Sequence, residues 1–231
     1  MIKGLGLSSP RQQFLLALVV STLVSLGLYT YGAFSQTGFD FSYMLGNLFL
    51  AWLPLAFALW LLNVLGRKRW SSWEGITASL LWLIFLPNSF YMISDFIHLQ
   101  EADPMYVLFD VVMLASFVFT GIVLGFGSLY LVHRELDKRL HWRTAAWWVA
   151  GVLLICSFAI YIGRDLRWNS WDVLFSPGGL LFDVSDRLIT PHEYPELLRT
   201  TLSFWALLGS MYFAGWWNGR LLHRLNEPAK R

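Results

Sequence analysis

The stretch LLWLIFLPNSFYMISDFIHL, Leu80 to Leu99, decides the fold class. It is apolar enough to enter a bilayer, yet Asn88, Tyr91, Asp95 and His98 recur at i, i+3, i+7 and i+10. At roughly 100° per residue those four side chains fall within an arc of about 80° on one helix face. Pro87 stands just before the stripe, where it removes a backbone donor and frees a carbonyl one turn earlier. Polar groups at membrane depth are tolerated where they face protein or a wet cavity, so the stripe is expected to line the inside of a helical bundle.

The composition around this stretch fits the same setting. Of 231 residues, 56% are hydrophobic and 17% aromatic, and only 14% are charged. Soluble domains carry about 25% charge, so the whole chain is expected to be a single membrane-embedded domain, residues 1–231. A net charge of +2 argues against a nucleic-acid partner. Cys156 is the single cysteine and lies in an apolar run, so no intrachain disulfide forms and the residue reads as buried packing.

Six apolar runs are long enough to cross about 30 Å of hydrocarbon, which takes about 20 helical residues. They fall near 13–34, 44–65, 75–98, 106–132, 144–163 and 197–219. The first follows Lys3 and Arg11 and resembles a secretory signal, with Ala33 and Ser35 as small residues near its end. Its apolar run exceeds the usual h-region and five more spans follow, so it is expected to be retained. Thirteen of the 17 basic residues, including Arg67-Lys68-Arg69, Lys138-Arg139 and Arg220, fall on the side shared by both termini. Positive loops stay in the cytoplasm, so both termini are expected there, in a bacterial inner membrane. Gly121 and Gly125 have the small-xxx-small spacing that lets helices approach closely.

Between the fifth and sixth runs, residues 164–196 are too long for a minimal turn and too short for a domain. RDLRWNSWDVLF mixes Trp168, Trp171, Leu174 and Phe175 with charges, Pro177-Gly178-Gly179 breaks it, and Leu181, Val184 and Leu188 follow at amphipathic spacing. The expected architecture is therefore an all-α polytopic membrane protein. It is a six-transmembrane-helix bundle with an interfacial helical cap between helices 5 and 6 on the outer side.

Polar groups are expected to converge at that outer level. Asp95 and His98 end the third span, Asp110 begins the fourth, and Arg164, Arg167, Asn169 and Asp172 follow the fifth. A histidine beside carboxylates suits proton transfer, and arginine's planar fork suits phosphate or carboxylate oxygens. Asp95, His98 and Asp110 are thus the candidate catalytic residues. Asn88, Tyr91, Arg164, Arg167, Asn169 and Asp172 are the candidate substrate-binding ones. Each has a plainer reading: Asp95 and His98 as a surface pair, Asp110 as a helix-dipole partner, the arginines as snorkelling anchors. Asp95, His98 and Asp110 are suitable metal ligands by type, but no HExxH-like spacing accompanies them, so neither a metal nor a cofactor is assigned. His133, His141 and His223 read as ordinary juxtamembrane residues, and Asn47 as a packing or capping group.

The strings FLPNSFYMISDFIHL (Phe85 to Leu99) and IGRDLRWNSWDVL (Ile162 to Leu174) resemble the signature stretches of an uncharacterised bacterial integral-membrane family. It is catalogued as domain of unknown function thirteen-sixty-one, and the resemblance runs over nearly the whole chain. Ser89-Phe90 stands where that pattern has Ala-Pro. The resemblance implies the membrane fold and the choice of polar residues, and no reaction.

Three functions fit these observations. The first is an outward-facing membrane enzyme acting on a lipid or other anionic envelope substrate. Here His98 is acid or base, Asp95 and Asp110 orient it, and Arg164 and Arg167 clamp the anion. The second is a transporter or permease component, for which Pro87 and Asn88 are the one broken-helix feature. The third is a structural or assembly protein without a small-molecule site. Beyond the bilayer itself, no protein partner is assigned.

Overall fold

A computed structural model describes residues 9–34, 41–100, 103–166, 168 and 175–226. Among the described residues every regular element is helical. In chain order these are α1 (Pro10–Phe34), α2 (Tyr43–Leu65), α3 (Trp73–Tyr91) with a 3₁₀ continuation (Met92–Gln100), and α4 (Val107–Asp137). Then come α5 (Trp142–Asp165), α6 (Pro177–Ile189), a single 3₁₀ turn (Pro191–Glu193) and α7 (Pro195–Asn226). Every apolar run forms a helix at the expected place. Five of them, α1, α2, α3 with its continuation, α4 and α5, are long and apolar enough to cross a membrane. The chain is therefore a multi-pass helical membrane protein. The 32-residue α7 is not among those five. Trp205, Tyr212, Trp216 and Trp217, with Gly209, Ser210 and Gly215 between them, dilute its aliphatic content.

Two compact units divide the chain, Met1–Glu135 and Leu136–Arg231. In the first, α2 packs along α3, presenting Met44, Leu48, Ala51, Leu55, Ala58 and Leu61 as one buried row. Met44, Leu48, Ala51 and Leu55 of that row belong to a core completed by Met92 from the 3₁₀ segment and by Met113, Leu114, Phe117 and Leu124 from α4. Polar contacts tie α1 to this core: Ser21 Oγ lies 2.6 Å from Thr120 Oγ1, and Trp52 Nε1 donates to Thr22 Oγ1 at 3.2 Å.

The small-residue spacing of α4 has its expected consequence. A Cβ added at Gly121 would sit 2.5 Å from the Ser89 carbonyl oxygen, and one at Gly125 2.7 Å from the Phe90 ring. Only glycine lets α3 and α4 approach this far. The contact falls on Ser89-Phe90, the pair that departs from the resembled pattern. Ser89 Oγ also donates to the Ala51 carbonyl at 3.1 Å, so this one residue touches both neighbouring helices.

The second unit is built on α5 against α7, where Trp205 Nε1 donates to the Ala150 carbonyl at 2.9 Å. A small apolar cluster of Tyr161, Ile162 and Leu197 carries α6 through Leu180 and Val184. The face of α6 that packs is therefore Leu180/Val184. Leu181, expected to share a stripe with Val184, is exposed together with Phe182 and Ile189. Trp171 and Leu174 lie outside the described residues.

Candidate functional site

Helix α3 does not run as one α-helix through the polar stripe. Pro87 is buried within it, and five residues later, from Met92, the winding tightens into nine residues of 3₁₀ helix. Runs beyond three or four residues are uncommon for this geometry, and long ones mark hinges or strained functional segments. With three residues per turn, positions 92, 95 and 98 form one row. That row is the one turned inward: Met92 and Asp95 are buried and His98 is half-buried. The expected four-residue arc is thus split. Asn88 and Tyr91 stay on α3, while Asp95 and His98 share a row with Met92.

Asp95 is only 1% exposed, and the Asn47 side-chain amide on α2 donates to its Oδ2 at 3.1 Å. His98 meets the ring of Tyr43 edge-on, with centroids 5.4 Å apart. Both Asp95 and His98 are therefore met by the first turns of α2. Asn88 spends its amide locally, donating to the Phe85 carbonyl at 3.0 Å. Tyr91 is half-buried, and its carbonyl accepts from Ser94 Oγ at 2.7 Å.

Asp110, in the first turn of α4, is also 1% exposed, and among the described residues neither carboxyl oxygen has a hydrogen-bond partner. Its neighbours Phe109, Met113 and Leu114 belong to the apolar core. The dipole reading of Asp110 accounts for a carboxylate near a helix start, and the burial of both oxygens goes beyond it. Among the described residues, no group of three or more His, Cys, Asp or Glu side chains is placed to hold a metal ion.

In the second unit, Arg164 closes the last turn of α5 and is half-buried. Arg167, Asn169 and Asp172 lie outside the described residues. What the described part of the 164–196 segment does contain is a clasp. Trp168 Nε1 donates to Asp183 Oδ2 at 2.8 Å, Arg187 lies 4.7 Å over the Tyr194 ring, and Tyr194 Oη donates to Asp186 Oδ2 at 2.7 Å. That hydrogen bond raises the Tyr194 phenol above the usual tyrosine range, with desolvation and the Asp186 charge adding and Arg187 opposing.

Sequence reasoning missed Asn47 and Tyr43 as partners of the stripe, because their approach depends on α2 lying along α3. The one signal was an amide in an otherwise apolar run. His133, expected as an ordinary juxtamembrane group, is buried on α4.

Long apolar helices, buried acids and a span that ends in 3₁₀ winding together define a polytopic membrane protein with buried polar groups on its helices. The family model for protein of unknown function (DUF1361) matches residues 46–211, and the chain belongs to that family. No curated protein matches it. No solved structure does either.

Proposed function

We propose that the chain is a membrane-embedded enzyme acting on a lipid or other anionic envelope substrate at the face opposite the basic loops. The observation that carries this reading is Asp110, 1% exposed at the start of α4, with neither carboxyl oxygen hydrogen-bonded among the described residues. Burying such a group without a partner costs about 1–3 kcal/mol. Ionisable groups kept at that cost within membrane helices belong to proton relays and substrate sites. Asp95 and His98 on the 3₁₀ row supply a second carboxylate and an imidazole, whose two ring nitrogens can donate or accept a proton. Arg164 and Arg167, in the second unit, are taken as anion-binding groups from their residue type and place in the chain. So are Asn169 and Asp172 as polar contacts.

This reading places both termini in the cytoplasm of a bacterial inner membrane. It makes α7 the sixth span and α6 an interfacial helix on the outer side. The exposed Leu181, Phe182 and Ile189 support the last point, because an apolar face outside the spans suits the acyl boundary. The proposal is tested by lipid and envelope profiling of a deletion strain complemented with Asp110→Asn, His98→Ala or Arg164→Ala. Profiles matching the deletion in the first two are expected, and wild-type profiles in all three reject the enzyme. A transporter is favoured by one feature only, the change of winding after Pro87. Substrate-dependent uptake into proteoliposomes distinguishes it.

A further inference from the structure

At the start of α5 and the end of α7, remote from Arg164, the second unit contains a cavity of about 300 Å³ lined by Trp142, Trp217, Arg220 and Leu221. Trp142 and Arg164 are 22 residues apart on one helix, which at 1.5 Å per residue separates them by about 33 Å, a full bilayer core. The cavity therefore stands at the opposite membrane boundary from the end of α5 that carries Arg164. We infer that it is a binding site for the phosphodiester headgroup of an anionic phospholipid.

Its chemistry is complementary to such a group in three respects. Arg220 is exposed at the rim and can offer its planar fork of donors to phosphate oxygens. It is carried there by a cation–π contact, its guanidinium carbon 5.4 Å from the Trp216 ring. The second respect is the start of α5, where no acidic residue occupies the first turn and the helix dipole leaves partial positive charge. Arg143, stacked 5.3 Å from the Trp142 ring, adds a full charge at the same end. The third is the wall: Trp142, Trp217 and Leu221 are large apolar side chains left exposed beside the cations. Indole rings belong at the headgroup level, with the apolar body toward acyl chain and the N–H toward the wet side.

Size narrows the occupant. Ligand pockets run from roughly 300 to 1,000 Å³, so this one takes a headgroup and the first part of a chain rather than a whole lipid. Basic pockets between helix ends on the positive side of a membrane are the usual seat of anionic headgroups. Free phosphate shares the charge but does not use the exposed indoles and Leu221. A phospholipid uses both.

The test is native mass spectrometry of the full-length protein in detergent, titrated in parallel with phosphatidylglycerol, phosphatidylcholine and inorganic phosphate. Phosphatidylglycerol adducts are expected to be favoured over phosphatidylcholine by about tenfold, because both share the phosphodiester but only phosphatidylcholine adds a quaternary ammonium that Arg220 and Arg143 repel. Arg220→Ala is expected to abolish that preference, and Arg220→Lys to restore part of it. Arg220 is exposed, so unchanged helix content by circular dichroism shows that both variants fold. Lys68→Ala removes a charge that is paired with Glu74 at 2.7 Å in the other unit, and is expected to leave the preference intact. Equal binding of the two lipids overturns the inference. So does equal loss in the Lys68 variant, or full displacement of phosphatidylglycerol by millimolar phosphate.

Discussion

Asp95 and Asp110 are both 1% exposed, yet they are opposite cases. Asn47 donates to Asp95, so removing that amide leaves a buried carboxylate short of a donor. Asn47→Ala is expected to lower the unfolding midpoint in detergent, with a loss of about 1–3 kcal/mol. Asp110 has no hydrogen-bond partner among the described residues to lose. Asp110→Leu places an apolar side chain on the face of α4 that carries the buried Met113 and Leu114, and is expected to raise the same midpoint while failing to complement a deletion strain. A gain in stability coupled to a loss of function is the signature of a group retained for chemistry. A fall in stability with normal complementation would mark Asp110 as structural.

Between elements, the tightest constraint is where α3 meets α4. A methyl group at Gly121 runs into a backbone carbonyl, which has no rotamer to escape into, whereas at Gly125 it meets the Phe90 ring and Ser89 Cβ. Gly121→Ala is therefore expected to cost about 1–3 kcal/mol, and Gly125→Ala less, both read as unfolding midpoints. Helix α6 offers a second element-level prediction. The phenol of Tyr194 is raised by its bond to Asp186, so the bond contributes below the ordinary phenol range and is lost as pH rises through the raised value. Protease sensitivity of segment 177–189 is expected to stay flat through neutral pH and to rise only in strong alkali. Tyr194→Phe, lacking the titrating group, is expected to remove the alkaline rise.

Across the whole molecule, length and apolarity made every long helix legible, because crossing a bilayer demands about 20 apolar residues whatever the packing. Gly121 and Gly125 were legible for the same reason, since small residues at that spacing have few other uses in a membrane. The site was legible only in part. Asp95, His98 and Asp110 stood out as charges in apolar runs, but the donor Asn47 is 48 residues from Asp95, and its role required the α2–α3 contact. The switch to 3₁₀ winding was hidden too, because nothing in the residue pattern of Met92–Gln100 separates 3₁₀ from α winding before the packing against α2 is known. Orientation is checked by single-cysteine labelling. Cys156 is fully buried, so the native thiol contributes little background. Met105→Cys is expected to react with an impermeant maleimide in intact cells, and Arg67→Cys only after permeabilisation. The reverse pattern inverts the topology.

The tightened winding after Tyr91 also acts as a ruler. The 19 residues of α3 rise about 28 Å at 1.5 Å each, close to the hydrocarbon thickness, while the nine that follow rise about 18 Å at 2.0 Å each. The α-helical part alone is thus about as long as the oily layer is thick, and Asp95 and His98 are carried on a strut that extends the span beyond that length. Relaxing that strut to ordinary α geometry would shorten it by about 4–5 Å and draw both side chains toward the lipid tails. A local change of pitch can therefore move them between wet and dry surroundings, with no helix tilting.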